Sequence, residues 1–294
     1  MPEINRRSLL GAAGLSLAAL SEGASTHPAA AAIVVQEPTF ELGTVTYNVP
    51  KDWDLSTLLK TLPAAGVKAI EFRTTHAHGV EPAMPAAQRA ELKSRAKDAG
   101  LVLWGLGTVC EFQSPDPSIV RRQIETCHQF VQLAKDTGIK GVKIRPNGLP
   151  DGVPVEKTIE QIGRALAECG KFASDHGVEI WMEVHGKGTQ DPPHARKIMD
   201  ICGHSSVGVC WNSNPTDVVN GSVKESFALL RPFLKSCHIN NLWGPYPYRE
   251  LFRLMRETGY DRYTLCEVAT PVKPEDGALF FQCYRGLWKE LARG

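Results

Sequence analysis

The sequence predicts one α/β domain in which eight parallel strands, each followed by a helix, close into a (β/α)8 TIM barrel. Short β-rich runs alternate with longer amphipathic stretches along the chain. A glycine stands at the end of most amphipathic stretches, where a helix commonly ends in a left-handed residue. After an N-terminal segment of about forty residues, roughly 255 residues remain, and this is the usual length of one such barrel.

The N-terminal segment has the composition of an export signal. Arg6 and Arg7 precede an uncharged stretch over residues 8–20, and an alanine-rich region follows. This order is typical of a twin-arginine signal peptide, and the uncharged stretch is too short to span a bilayer. The alternative is a disordered or uncleaved N-terminal tail. We expect an exported, periplasmic protein that is not membrane-bound after cleavage, with signal, linker and barrel covering residues 1–32, 33–40 and 41–294.

The fold prediction rests on the alternation of short β-rich runs with longer amphipathic stretches. Strands that alternate with helices imply parallel βαβ units. An open doubly wound sheet is the alternative, but the first run lacks the Gly-rich phosphate-binding turn usual there. The eight runs cover residues 42–47, 67–73, 101–107, 141–145, 178–184, 207–212, 236–240 and 263–268. Helix candidates cover 85–99, 118–137, 156–176 and 191–202, and predicted helix ends lie at Gly66, Gly100, Gly138, Gly177 and Gly259.

The charge and the cysteine pattern argue against a nucleic-acid-binding protein and against a disulfide-stabilised one. The formal net charge is +1 and the basic residues are scattered, so we expect no nucleic-acid partner. The eight cysteines form no CxxC pair. Export would permit disulfides, but Cys210, Cys237 and Cys266 lie in apolar runs, where cysteine behaves as a small hydrophobic residue. Twin-arginine substrates also fold in a reducing cytoplasm. We therefore expect mostly free thiols.

Four polar residues stand at the ends of the last four predicted strands. They are Glu183, Asn212, His238 and Glu267, each about one strand–helix unit from the next. In a barrel these side chains converge at one mouth. Three oxygen donors and one imidazole nitrogen suit a single divalent ion such as Mn²⁺, Co²⁺, Mg²⁺ or Zn²⁺. Each residue alone is equally typical of a helix cap, a salt bridge or a structural histidine, but four in consecutive strands indicate a site.

The motifs "MEVHG", "VCWN", "CHIN" and "LCEVA" give the chain, over residues 40–292, a resemblance to the xylose isomerase-like TIM-barrel superfamily. That group includes sugar phosphate isomerases, ketose 3-epimerases, inosose dehydratases and apurinic-site endonucleases. The resemblance implies that Glu183, Asn212, His238 and Glu267 hold one metal ion, and that the two glutamates exchange the substrate proton.

The sixth strand departs from the family pattern, because Asn212 stands where the ketose epimerases have Asp. The amide removes one negative charge, which weakens affinity for a hard cation. Asp217, in the following loop, is an alternative source of the missing carboxylate.

Seven further residues near the strand ends are predicted to contact the substrate. Lys143 and Arg145 share one side of their strand, so they are suited to binding an anionic or polyhydroxylated substrate, or to polarising a carbonyl. Salt bridges to Glu71, Glu111 or Glu183 are the alternative. The predicted substrate-binding set is Arg73, His76, Glu111, Lys143, Arg145, His185 and Trp243.

Two of the histidine assignments leave alternatives open. His185 either faces the substrate or orients Glu183. His76 and His78 form an HxH pair that could bind a second metal, as in the endonucleases, but the later strands lack the extra histidines of such a cluster. Substrate contact or a solvated loop is the competing interpretation of this pair.

Together these features predict a metal-dependent sugar isomerase or epimerase that abstracts a proton next to a carbonyl and passes through an enediolate. A lyase or dehydratase acting on a keto-sugar or 3-keto-glycoside is the alternative with the same site. Phosphodiester hydrolysis fits the balanced charge poorly, whereas Asn212 leaves open a non-catalytic sugar-binding barrel. The expected partner is a small carbohydrate. No surface stripe commits the chain to a homo-oligomer.

Overall fold

The computed structural model describes residues 37–293, which form a closed barrel of eight parallel strands. The predicted signal peptide and the first part of the predicted linker lie outside these residues. Each strand pairs with its neighbours in chain order, and β8 pairs with β1 through the register of Gly43 with Leu265. This last pairing closes the barrel and excludes the open sheet.

The strands are β1 (Glu41–Val45), β2 (Ala69–Arg73), β3 (Val102–Gly107), β4 (Gly141–Ile144), β5 (Glu179–Glu183), β6 (Val207–Asn212), β7 (Leu234–Ile239) and β8 (Tyr263–Cys266). The helices are α1 (Leu55–Ala64), α2 (Ala86–Asp98), α3 (Pro117–Thr137), α4 (Val155–Asp175), α5 (Pro192–Cys202), α6 (Lys224–Leu230), α7 (Tyr248–Glu257) and α8 (Pro274–Ala292). Short 3₁₀ helices occupy Pro215–Asp217 and Arg231–Phe233.

The local sequence signals are confirmed element by element. All eight predicted runs form barrel strands, and the four predicted helices agree within one residue at each end. The five predicted terminating glycines have positive φ, from 65° at Gly259 to 78° at Gly66. Only glycine adopts this conformation without a Cβ penalty, and the five helices before these glycines therefore end where the sequence predicted.

Two stacked indoles fill one end of the barrel interior. Trp104 and Trp181 lie with ring centroids 4.9 Å apart, and the Trp181 indole donates to Glu179, the first residue of β5. The rings therefore lie toward the N-terminal end of the strands. A Cβ on Gly141 would lie 2.3 Å from Trp181, so only glycine leaves room for this ring. With this end filled, the functional cavity lies at the C-terminal end.

All eight cysteines lie in the described part of the chain and carry free thiols, seven of them buried. No helix among residues 37–293 is both long and apolar enough to cross a membrane.

Candidate active site

The C-terminal ends of the strands surround a cavity of about 900 Å³, a size typical of sites for small molecules. Apart from His238 and Trp243, nine residues are predicted from the sequence to bind the metal ion or the substrate at this mouth. Seven of them line the cavity, namely Arg73, Lys143, Arg145, Glu183, His185, Asn212 and Glu267. The structure thus brings together residues from β2, β4, β5, β6 and β8.

Glu183 and Glu267, which line the cavity, converge on the buried His238. One side-chain ligand atom from each lies within 4.8 Å of the other two. His238 Nδ1 is 3.3 Å from Glu267 Oε2 and 3.7 Å from Glu183 Oε1. The Nδ1 atom is buried and makes no hydrogen bond to a described residue. Buried polar atoms are normally satisfied, so this converging arrangement fits ligands of a divalent cation.

Glu71 orients His238 from across the barrel. His238 Nε2 lies 3.3 Å from Glu71 Oε2, and both side chains are fully buried. Donation from Nε2 to this carboxylate turns Nδ1 toward the cluster, as in many metal-binding histidines. A Cβ on Gly107 would lie 2.7 Å from Glu71 Oε1, so a glycine makes room for Glu71. From the sequence, Glu71 is predicted only as a possible salt-bridge partner; the signal for its role is an acid between two apolar residues of a strand, Ile70 and Phe72.

Asn212 lies beside Glu183 with its amide oxygen free. Its Nδ2 donates to Glu183 Oε1 at 3.3 Å, and its buried Oδ1 has no partner among the described residues. The carbonyl oxygen is therefore available as a fourth ligand. Asp217 does not join the cluster, because its carboxylate accepts from the Asn214 backbone and from the Tyr246 hydroxyl at 2.8 and 2.9 Å.

Lys143 forms a buried ion pair with Glu183 Oε2. Burial opposes ionisation of Glu183, but the positive charges of Lys143 and His238 hold the pKa of this carboxyl well below its ordinary value. Burial likewise opposes the charged ammonium, yet the charges of Glu183, Glu71 and Glu267 raise the pKa of Lys143. Both members of the pair are therefore ionised.

The electrostatic environment of His238 also favours a cation. Burial opposes protonation of the imidazole, but Cys210, Glu267 and Glu71 raise the pKa of His238 well above its ordinary value. The pocket therefore attracts positive charge to this position. A divalent ion is suited to replace that proton, since metal binding to histidine is coupled to proton release.

Arg73, Arg145 and His185 form the outer wall of the cavity. Arg145 Nη2 donates to Glu111 Oε1 at 2.9 Å. The Arg73 guanidinium lies 5.7 Å from the centroid of the Tyr47 ring. His185 Nδ1 is buried without a partner in the described chain, and burial lowers the pKa of this imidazole. Of the salt bridges that the sequence left open, the structure contains Lys143 with Glu183 and Arg145 with Glu111.

Three predicted contacts lie apart from the cavity lining, namely His76, Glu111 and Trp243. Trp243 is 61% exposed and meets Tyr284 edge-on, with ring centroids 6.4 Å apart. His76 stacks on Tyr47 and shares a 3.1 Å hydrogen bond with Thr46. The aromatic side chains that do reach the cavity are Tyr47, Tyr246 and Tyr248.

His78 is a structural residue rather than half of a metal-binding pair. Its Nε2 lies 3.0 Å from the Arg73 carbonyl oxygen, and its Nδ1 accepts from the Val80 backbone at 3.0 Å. Both ring nitrogens are therefore engaged. Burial lowers the pKa of His78 to about 4, so the ring stays neutral near pH 7.

Sequence comparison identifies the class of protein. Residues 59–281 match the family described as xylose isomerase-like TIM barrel, and the chain belongs to this family. No curated protein is significantly similar to the chain in sequence.

Solved structures share the fold at low sequence identity. A D-psicose 3-epimerase with D-tagatose from Clostridium cellulolyticum H10 has 14% identity and a TM-score of 0.67, covering 86% of this chain and 95% of its own. A 3-keto-D-glucoside 4-epimerase from E. coli has the same identity and TM-score and covers 86% and 98%. The IolI protein with a binding zinc atom has 17% identity and a TM-score of 0.68, covering 85% and 96%.

Proposed function

We propose that the protein is a metal-dependent sugar isomerase or epimerase. The observation that carries this proposal is the convergence of Glu183 and Glu267 on His238, with ligand atoms of all three within 4.8 Å of one another. The two carboxylates come from strands on different parts of the barrel wall, and both line the cavity. Two carboxylates in one small-molecule site are suited to removing a proton from a substrate and returning one.

The donor set fits a divalent cation. Glu183, His238 and Glu267 would hold it, with the unpartnered Asn212 Oδ1 as the fourth ligand. Mn²⁺, Co²⁺, Mg²⁺ and Zn²⁺ are all compatible with three oxygens and one nitrogen. The zinc atom in the IolI structure supports a metal in this fold. When bound, such an ion supplies Lewis-acid polarisation of the substrate carbonyl.

The protein's own groups then account for the proton transfer. One glutamate removes the proton from the carbon next to the carbonyl, which generates an enediolate. The other glutamate takes a proton from solvent and returns it to the intermediate. Return to the opposite face of the same carbon gives an epimer, and return to the neighbouring carbon gives an aldose–ketose isomer.

Lys143 has two roles in this account. While paired with Glu183 it keeps that carboxyl ionised, but a carboxylate with a depressed pKa is a weak base. As negative charge develops on the substrate oxygen, the Lys143 ammonium at the cavity wall can transfer its interaction to that oxygen. This transfer restores the basicity of Glu183 and stabilises the enediolate in the same step.

A lyase acting on a 3-keto-glycoside is the second candidate. The enediolate can expel a leaving group on the next carbon instead of accepting a proton. The observation that favours this candidate is the cavity of about 900 Å³, which leaves room beyond a single sugar ring. The E. coli structure of a 3-keto-D-glucoside 4-epimerase supports a keto-glycoside as substrate class. We also propose that the protein is exported, which favours free or oxidised sugars over sugar phosphates.

Proton exchange tests the proposal. The full-length protein, incubated in D₂O with D-fructose, D-tagatose, D-psicose and a 3-keto-glucoside, should incorporate deuterium next to a carbonyl of at least one sugar, detected by NMR. The same spectra distinguish an epimer or isomer from an elimination product. Glu267→Gln should exchange nothing. Sugar binding without exchange in the wild-type protein would identify a binding barrel instead.

A further inference from the structure

One of the three cationic residues that line the cavity has no acidic partner among the described residues. Three lining residues are cationic and two are acidic. Lys143 is paired with Glu183, and Arg145 is paired with Glu111. Arg73 forms no ion pair with any residue between 37 and 293. A divalent ion at the strand ends would add further positive charge to the cavity.

Most of the Arg73 guanidinium remains free to bind a ligand. Its Nη1 donates to the Thr74 carbonyl oxygen at 2.7 Å, with a longer contact of 3.5 Å to Thr75 Oγ1. Its Nε and Nη2 make no hydrogen bond to a described residue. Glu81, a nearby acid, does not bond to Arg73, because its carboxylate accepts from Thr74 and Thr75.

Arg145 presents a second guanidinium to the same cavity. Its Nη2 is used by Glu111, whereas its Nε is buried without a partner in the described chain. Burial, and next the positive charge of Arg145, lower the pKa of Arg73. The two guanidiniums therefore repel one another, and no carboxylate between residues 37 and 293 forms an ion pair with both. A ligand anion between them would remove this repulsion.

Resting on the proposed function, we propose that the substrate is an anionic sugar whose carboxylate or phosphate binds Arg73 and Arg145. The guanidinium fork matches both anions in shape and charge. Arg145 follows Lys143 by two residues and lies just beyond the last residue of β4, roughly 7 Å farther along an extended backbone. A five- or six-carbon sugar acid spans this distance, so its keto end reaches Glu183 and Glu267 while its anionic end reaches the arginines.

Three ligands that share one carbon skeleton provide the test. D-fructose, D-fructuronate and D-fructose 6-phosphate carry a hydroxyl, a carboxylate and a phosphate at the same carbon. Isothermal titration of the full-length protein should show at least tenfold tighter binding of one anion than of D-fructose. Which anion binds more tightly identifies the source of the charge. The preference should weaken as NaCl is raised.

Variants assign the preference to the arginine pair. Arg73→Gln should lose the tenfold preference for the anion, and Arg73→Lys should retain part of it. Arg249→Gln is the matched control, because Arg249 is exposed on α7 and pairs with Glu290. This control should bind all three ligands like the wild type. Thermal melting establishes that each variant is folded.

Several results would overturn the inference. They are equal binding of the three ligands, an equal loss of all three in Arg73→Gln, and no binding of any. Deuterium exchange, measured in parallel, separates this inference from the proposed function. Selective binding of an anion without exchange supports the arginine site and removes the isomerase. Deuterium exchange into D-fructose without a preference for either anion would support the isomerase and refute the arginine site.

Discussion

The Nδ1 atom of His238 lies 3.3 Å from Glu267 Oε2, yet it makes no hydrogen bond to any residue between 37 and 293. β7 and β8 are neighbours in the barrel, so the two side chains meet because of the strand order. On the other side of the ring, Glu71 engages Nε2. The imidazole is thus held by one carboxylate and aimed at two others, an arrangement suited to binding a cation.

Removing the charge of Glu71 should weaken metal binding without removing a ligand. Glu71→Gln keeps the shape of the side chain but weakens its hold on His238 Nε2, so affinity should fall about 10- to 100-fold. Titration with Zn²⁺ or Co²⁺ measures the change. Glu290→Gln, at an exposed position on α8, is the control and should bind like the wild type. Unchanged affinity in Glu71→Gln would show that Glu71 does not orient His238.

The Lys143–Glu183 pair should show strong non-additivity in stability. Lys143→Met leaves a buried carboxylate without its partner and should cost about 3–5 kcal/mol of unfolding free energy at pH 7 in metal-free protein. Adding Glu183→Leu should recover most of that loss, because no unpaired charge then remains. Urea unfolding in EDTA gives the four values of the cycle. Additive losses would contradict a tight pair.

The pH dependence of the same pair follows from the depressed pKa of Glu183. Its contribution to stability is present above the ordinary pKa of a glutamate and is lost as the pH falls through the lower folded-state value. Lys143→Met should therefore lose less relative to wild type in acid than at pH 7.

Asp217 should make the folded protein less stable as the pH rises toward neutrality. Burial raises its pKa to about 7, although its hydrogen bonds from Asn214 and Tyr246 act in the opposite direction. Between the ordinary aspartate pKa and about 7, the folded state holds a proton that the unfolded state releases, so the unfolding free energy falls with rising pH. Asp217→Asn should remove this part of the slope. Urea unfolding at pH 5 and pH 8 measures it, and an identical slope in the variant would refute the assignment.

Gly141→Ala should destabilise the filled end of the barrel. The added Cβ would lie 2.3 Å from the Trp181 ring, and such overpacking typically costs about 1–3 kcal/mol. Gly286→Ala is the matched control, because a Cβ there meets nothing within 4 Å and α8 gains a better helix former. The control should be stable or slightly stabilised. Equal melting temperatures for Gly141→Ala and the wild type would contradict the packing account.

The fold could be predicted because its signals are local. Alternating runs, helix periodicity and terminating glycines each depend on a few neighbouring residues, and the barrel order follows from parallel βαβ units. Once the strand ends are predicted, Glu183 and Glu267 can be placed at the same end of the barrel. This placement does not depend on which side chains are in contact.

The remaining parts of the site depend on contacts across the barrel. Glu71 on β2 reaches His238 on β7, two strands that are not neighbours, and no spacing in the sequence indicates this pair. The sequence offers several acidic partners for Lys143, and only the folded structure shows that it forms its ion pair with Glu183. Trp243 lies in a loop, and the strand pattern does not determine the path of a loop. Its exposed position therefore could not be predicted from the sequence either.

Metal content tests the central claim most directly. The metal content of the full-length protein, purified without chelator, is measured by elemental mass spectrometry. The same measurement is made on Glu183→Gln and on the surface control Glu290→Gln. The account predicts one divalent ion per chain in the wild type and the control, and its loss in Glu183→Gln. No ion in the wild type, even after incubation with Mn²⁺, Co²⁺, Mg²⁺ and Zn²⁺, would contradict it and leave a sugar-binding barrel as the better account.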